Sequence, residues 1–446
     1  MLLRIKNNPL IIGTLILTAT GFASRFIGFF YRIFLSRVFG SEGMGIYQLI
    51  SPVLALSFSL TVSGIQTAIS KYVAGETATK DYRYSFSHLF TGFLISMSLS
   101  VLCTVGIYTF ADVIAVHLLM EKQTAPLLRI ISLSIPMATV HSCVNGYFYG
   151  IRKTAVPSAC QLVEQLVRVG SVYIIYYFCQ KEGLQPTISF AVIGLVIGEA
   201  ASMIVSLVAM KAHFSHVLPA NYGPLLPYCR QNLRSSFRNL MTLALPLSLN
   251  RIILNFLQSV ESVFIPPMLL SYGYDKTAAL SAYGILTGMA LPLILFPGAI
   301  TNSVCVLLLP LVSEAEAGGR HASIKKAVNK SIRYGFFMGA FFTALFFLLG
   351  KWLGTILYQN ELAGSFIMIL SFLCPLMYIA STLNSILNGL GKTTLTFLFS
   401  MGSLLIRLLF VFLAIPRFGI NGYLWGLLVS QLVQTLLCLF AVRKYR

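Results

Sequence analysis

Twelve apolar runs, joined by short polar loops, constrain this chain more than any other feature. Most exceed about 20 residues, the length at which an α-helix crosses roughly 30 Å of hydrocarbon. Strands of a membrane barrel would instead be about 10 residues long with strict alternation. The runs lie at about 9–38, 44–70, 86–112, 124–149, 155–179, 187–210, 238–268, 278–312, 332–356, 362–388, 393–415 and 420–442. Only 10% of the residues are charged, against the roughly 25% that a soluble domain uses to cover its surface. The expected fold is an all-α integral membrane protein of about twelve transmembrane helices. The first run continues from Pro9 to about Val38, too long for the core of a signal peptide, and is read as the first span.

The formal net charge of +19 does not imply nucleic acid, because no large soluble domain exists to carry a basic groove. The charge follows the loops. With the N-terminus, the even-numbered loops and the C-terminus taken as one side, 20 of the 32 Lys and Arg residues fall there and 6 on the other. The positive-inside rule then places both termini in the cytoplasm. The eight cysteines form no C-x-x-C pair and read as small buried hydrophobes.

The longest loop, from about Lys211 to Phe237, divides the spans six and six. The expected organisation is a six-helix lobe over 1–211, a cytoplasmic amphipathic linker over 212–237, and a second six-helix lobe over 238–446. The linker reading rests on the stretch from Tyr228 to Phe237. A shift of 239 residues superposes Pro136 on Pro375, Asn145 on Asn384, Gly150 on Gly389, Lys153-Thr154 on Lys392-Thr393 and Arg168 on Arg407. The starts of the lobes align with a different shift, Arg25 against Arg251. Each repeat has an even number of spans, so the two are parallel, an arrangement that places a transporter's site between its lobes near the midplane.

The remaining six basic residues, Arg25, Arg32, Arg129, Arg168, Arg251 and Arg407, lie inside the apolar runs, where only three carboxylates, Glu164, Glu199 and Glu261, accompany them. An arginine at a bilayer centre costs about 2.5–3.5 kcal/mol on insertion scales. A cationic interior therefore points to an anionic cargo. Arg25 and Arg32 are seven residues apart and share one face of the first helix. With Arg251 they are candidates to line a cavity and hold pyrophosphate oxygens bidentately. The alternative is pairing with Glu261 and helix ends, or snorkelling. Arg407 and Arg168 are further candidates for the anion. Glu164 and Arg168 also have the i,i+4 spacing of a local ion pair, either structural or opening during transport. Glu199, Glu261, Asn145 and Asn384 are candidates for gating or coupling. His141 reads as a packed side chain, and Arg129 as interfacial. Gly389-Leu-Gly-Lys-Thr-Thr lacks the earlier glycine of a phosphate loop, since Ile386 stands there.

The stretch from Arg25 through Arg32, Arg37, Gly40, Gly43 and Gly45 to Tyr47 resembles the polysaccharide-exporter and stage V sporulation protein B group. So do Gly64-Ile-Gln-Thr-Ala-Ile-Ser-Lys71, Asn145-Gly-Tyr-Phe-Tyr-Gly150 and Gly419-Ile-Asn-Gly422-Tyr. That group belongs with the multidrug and toxin extruders and the MurJ-type lipid II flippases. The resemblance implies a V-shaped bundle of two pseudo-symmetric six-helix lobes in the bacterial cytoplasmic membrane, alternating between inward- and outward-open states. It also implies a cargo of undecaprenyl-pyrophosphate-linked saccharide, with Arg25 and Arg251 at positions that match important cavity arginines. The sporulation proteins are longer, with two further spans.

The expected function is a flippase for an anionic lipid-linked saccharide, and not an enzyme. Its partners would be that substrate, membrane lipids and enzymes of cell-envelope biosynthesis. No cofactor is expected; coupling could use Na+, H+ or the membrane potential. Two other readings stand beside it. A cation-coupled multidrug extruder would want carboxylates in its cavity, and the first span has none before Glu42. A membrane glycosyltransferase or polymerase would need larger external loops than the 5–12 residues available here.

Overall fold

In the computed structural model of this chain, residues 9–78, 82–217 and 225–443 are described. Arg4, Lys6, Lys80, Lys444 and Arg446 of the basic side lie outside the described residues, as does the middle of the expected linker. The described residues form helices and no strands. In order, the principal ones are α1 (Pro9–Phe58), α2 (Gly64–Ala78), α3 (Tyr82–Thr109), α4 (Thr124–Ser132), α5 (Ser134–Gly150), α6 (Ala155–Lys181), α7 (Ser189–Val217) and α8 (Leu225–Tyr272). They continue with α9 (Lys276–Gly284), α10 (Leu291–Leu295), α11 (Gly298–Ala317), α12 (His321–Tyr358), α13 (Glu361–Leu370), α14 (Leu373–Gly389), α15 (Thr393–Leu413), α16 (Ile415–Phe418) and α17 (Ile420–Ala441). Wider π turns, Ser59–Ser63 and Ile285–Ala290, join α1 to α2 and α9 to α10.

Among the described residues, eleven helices are long and apolar enough to cross a membrane, or twelve if α13 and α14, bent by 50°, count as one span. That number agrees with the expectation, although it counts Ile16–Glu76 once and the run at 278–312 twice. The runs at 9–38 and 44–70 belong to one continuous stretch, Ile16–Glu76, of 61 residues. A straight helix of that length would reach about 90 Å, three times the hydrocarbon thickness. Gly40, at φ 69° and ψ −174°, breaks it into two crossings, using a conformation that costs glycine little. Conversely, the run at 278–312 divides at Phe296–Pro297 into two 20-residue helices.

The stretch from Tyr228 to Phe237, much of it exposed, is helical. It forms the early turns of α8, continuous with the seventh span. No glycine or proline interrupts the chain between Tyr228 and Leu245. Ser235 and Ser236 also fix these turns, through hydrogen bonds to Tyr84 Oη (2.9 Å) and Ser87 Oγ (3.0 Å).

Contacts divide the chain into two compact units. The first holds the described residues through Ile27 and Ile50–Phe256; the second holds Gly28–Leu49 and everything from Leu257 onward. Close helix approaches explain why each takes a piece from elsewhere in the sequence. In the first unit a Cβ on Gly64 would lie 2.4 Å from Ala244 O, so α2 and α8 nearly touch backbones. In the second, a Cβ on Gly45 would lie 2.2 Å from Leu280 O.

The internal repeat is written into the packing of each unit separately. Pro136 has no N–H for Ser132 O, and Pro375 none for Ser371 O. Both spans break there, and a threonine from another helix satisfies each freed carbonyl: Thr104 Oγ1 donates to Ser132 O (3.1 Å) and Thr343 Oγ1 to Ser371 O (2.9 Å). Gly150 packs against Ser70 and Val73, and Gly389 against Leu309 and Val312. Every pair is 239 residues apart.

Candidate functional site

Three partly buried charges of the first unit, Glu164, Arg168 and Glu199, converge where α5, α6 and α7 pack. An i,i+4 interval on α6 brings Glu164 and Arg168 together, and Arg168 Nη2 donates to Glu164 Oε1. The second carboxylate, Glu199 on α7, has Oε1 3.7 Å from the same guanidinium and Oε2 2.8 Å from His141 Nε2. His141 is therefore not merely packed; it belongs to this network. Its Nδ1 and the Oδ1 of Asn145, one turn further along α5, are both buried with no hydrogen-bond partner among the described residues. A cavity of about 250 Å³, lined by Arg168, Glu199, Thr61, Ser134 and Thr139 among apolar side chains, adjoins the cluster. With His141 neutral, two carboxylates against one guanidinium leave a single negative charge. One proton or one monovalent cation would balance it. Ligand atoms of His141, Glu164 and Glu199 lie within 4.8 Å of one another, close enough to share such a charge.

Arg251 lies near the middle of α8, also in the first unit, and its side chain is exposed. Its Nη1 donates to Ser63 O at 3.3 Å, at the end of the π turn. One turn on, Asn255 Nδ2 donates to Ser59 Oγ and to Ala55 O (3.3 Å). Among the described residues Arg251 meets no carboxylate. Arg25 belongs to the same unit and is exposed, while Arg32, also exposed, belongs to the second.

In the second unit Glu261 on α8 is the centre of a buried pair. Arg407 Nη2 stands 2.8 Å from its Oε2, and Tyr423 Oη donates to its Oε1 at 2.7 Å. Arg407 thus has a carboxylate partner, which its own helix did not reveal. Asn384 Oδ1 accepts from Cys438 Sγ at 3.2 Å. Arg129 pairs with exposed Asp112 at 2.5 Å. Arg37, near the end of the first crossing, donates to the carbonyls of Ile356 and Leu357.

Overlaying the repeats shows where chemistry was added. The positions equivalent to His141, Glu164 and Glu199 are Ala380, Ser403 and Cys438. The arginine is kept in both halves, but the acid–imidazole network exists only in the first. Sequence reasoning placed Glu164 with Arg168 and missed His141, Tyr423 and Ser63 O. The i,i+4 spacing of His141 and Asn145 was the available signal for the first.

A family model described as polysaccharide biosynthesis protein matches residues 10–316, and a second, MatE, matches 246–413. Stage V sporulation protein B of Bacillus subtilis (strain 168) is 28% identical over 434 residues, covering 97% of this chain and 83% of that protein. The solved structure of lipid II flippase MurJ in an inward closed conformation aligns with a TM-score of 0.71 at 16% identity, over 96% of this chain and 87% of that one. An inward-facing multidrug resistance MATE family transporter of the MOP superfamily aligns at 0.68 and 15% identity, over 94% of both chains. This chain therefore belongs to the polysaccharide biosynthesis protein family and has the fold that MATE transporters and MurJ share.

Proposed function

We propose that this protein is a flippase carrying an anionic polyprenyl-pyrophosphate-linked saccharide across the bacterial cytoplasmic membrane by alternating access, with both termini in the cytoplasm. The observation that carries this reading is Arg251. It lies near the middle of an apolar helix, exposed, and among the described residues it holds a long contact to a backbone carbonyl and meets no carboxylate. The intramembrane acids Glu164, Glu199 and Glu261 are already engaged by Arg168, His141 and Arg407. A guanidinium without a carboxylate at that depth is costly, and a pyrophosphate would offset the cost through bidentate, charge-assisted hydrogen bonds. Arg25, of the same unit, would add to that field. The saccharide would occupy the polar interior while the prenyl chain stays in lipid. No hydrolytic or transferase step is required, and the partners would be the enzymes that make and consume the carried lipid.

Coupling is proposed at the His141–Glu164–Arg168–Glu199 cluster. Its residual negative charge and the open Nδ1 of His141 suit a proton, and its carboxylates could also admit Na+. A cation-coupled drug extruder is the second reading, supported by the MatE match over 246–413. An exposed arginine midway along α8 repels the cations that such a protein carries.

Native mass spectrometry of purified protein with added polyprenyl-pyrophosphate saccharide tests the proposal. Losing one or two charge-assisted hydrogen bonds, at about 1.5–3 kcal/mol each, predicts weakening of roughly 10-fold to over 100-fold in Arg251→Ala. Membrane abundance should be unchanged. Full binding in that variant, or binding of organic cations in place of the lipid, rejects the reading.

A further inference from the structure

The second unit contains a crevice of about 560 Å³ between the end of α11 and the start of α12. One wall is apolar and includes Leu307 and Leu311, both exposed; the other carries Lys326 and Lys330, with Arg320 at the loop end. Lys326 and Lys330 are one turn apart on α12 and share a face. Ile324 and Ser331, both buried, line the crevice floor, and Val328 lies in the core. Glu314 also lines the crevice, so three positive charges face one negative.

The repeat shows how unusual this lining is. Ser323, Lys326 and Lys330 are equivalent to Tyr84, Ser87 and Thr91 of the first unit. There, the early turns of α8 cover the same groove: Ser235 and Ser236 bond Tyr84 and Ser87, and Leu240 and Ala244 join the cluster of Ile65, Ala68 and Ile69. Among the described residues of the second unit no segment takes this place, and lysines stand where helix-contact residues stood. A charged groove is poorly suited to another apolar helix. It suits a molecule with an anionic head and an apolar tail.

The depth agrees. The 38 residues of α12 would span about 57 Å, against roughly 30 Å of hydrocarbon. The early turns, residues 321–333, therefore fall in the headgroup zone, on the side that the charge bias assigns to the cytoplasm. Basic pockets between spanning helices on that side hold anionic lipid heads.

We propose that this crevice is a binding site for one anionic phospholipid, its phosphate held by Lys326, Lys330 and Arg320 and one acyl chain lying along Leu307 and Leu311. The site is built from residues of the second unit alone, and its occupant is a resident membrane lipid.

The test is native mass spectrometry of delipidated full-length protein titrated with phosphatidylglycerol, with phosphatidylcholine of the same chains, and with inorganic phosphate as competitor. Phosphatidylglycerol should bind at least tenfold more tightly than phosphatidylcholine. Lys326→Ala/Lys330→Ala should lose about 25-fold, from the usual contribution of a basic residue at an anionic headgroup. Leu307→Trp, which fills the apolar wall without changing charge, should also weaken binding, while Arg251→Ala should not. Equal affinity for the zwitterionic lipid, or undiminished binding in the double variant, overturns the proposal. Displacement by inorganic phosphate would make the site a simple anion site. A cross-link from Leu311→Cys to the chain's own first helix that excludes lipid would make it an intramolecular dock.

Discussion

The Glu261–Arg407 pair permits a quantitative check on whether the second unit's buried charges hold the fold. The side chain of Glu261 is 5% exposed and that of Arg407 24%. Arg407→Met strands a carboxylate with Tyr423 as its remaining donor. Breaking a buried pair costs about 3–5 kcal/mol, and the surviving tyrosine bond puts this case near 3. Glu261→Gln keeps an acceptor for Tyr423 and leaves a guanidinium that can partly reach water, so its cost should be smaller, about 2 kcal/mol. The double variant buries no lone charge and retains the tyrosine bond; its cost should be about 1–2 kcal/mol. The single losses sum to about 5, which gives a coupling of roughly 3 kcal/mol, far above the few tenths expected of independent sites. Denaturant unfolding in detergent, followed by tryptophan fluorescence, measures all four corners of the cycle. Trp425 lies two residues from Tyr423 and can report on this region. Losses that add to within about 0.5 kcal/mol would show that the 2.8 Å contact carries no energy.

Three further substitutions probe the α2–α8 crossing and the charge cluster. Gly64→Ala places a Cβ 2.4 Å from Ala244 O and 2.2 Å from Ser248 Oγ, so it should destabilise by about 1–3 kcal/mol through overpacking. Gly75→Ala on the same helix meets nothing within 4 Å and should be neutral or stabilise by up to about 1 kcal/mol; matching melting temperatures for the two would refute the close crossing. Glu199→Gln removes the partner of His141 and should flatten the pH and Na+ dependence of transport in proteoliposomes while substrate binding persists. An unaltered dependence on both would remove the cluster from the coupling step.

The span count was legible because hydrophobic length and loop charge report on one quantity, the fit of a helix to a bilayer. Boundaries were less legible where local geometry decides. Phe296–Pro297 redirects the chain where hydropathy barely changes, so one run split; at Gly40 the polar stretch 40–43 was visible, but helical turns continue on both sides of it, so two runs joined. The repeat was visible as isolated matches such as Pro136 and Pro375; its reason, a carbonyl freed by each proline and claimed by Thr104 or Thr343, required three dimensions. The same holds for the site. Glu164 and Arg168 are close in sequence and were paired from spacing alone. Glu261 and Arg407 are 146 residues apart, and His141 and Glu199 58 apart, so only the packing of distant helices could join them.

The arginines separate into two classes by what a substitution should disturb. Arg168 and Arg407 keep the same register in the two repeats but draw acids from different helices, α6 and α7 in one case and α8 in the other. Because the partners are not themselves repeated, retention of the arginine reflects no inherited ion pair; each half found its own neutralising group. Removing either arginine strands a carboxylate, and the cost appears first as lost protein. Arg251 strands nothing. Its contact with Ser63 O is long, and its loss exposes a carbonyl at a π turn already close to the polar groups of Ser59 and Asn255. An anion that drew the guanidinium away would alter the same contact, so under the proposed function ligand binding would be linked to the shape of the π turn between α1 and α2 through one hydrogen bond. A residue whose removal spares the fold but changes that link is where transport and abundance should part company.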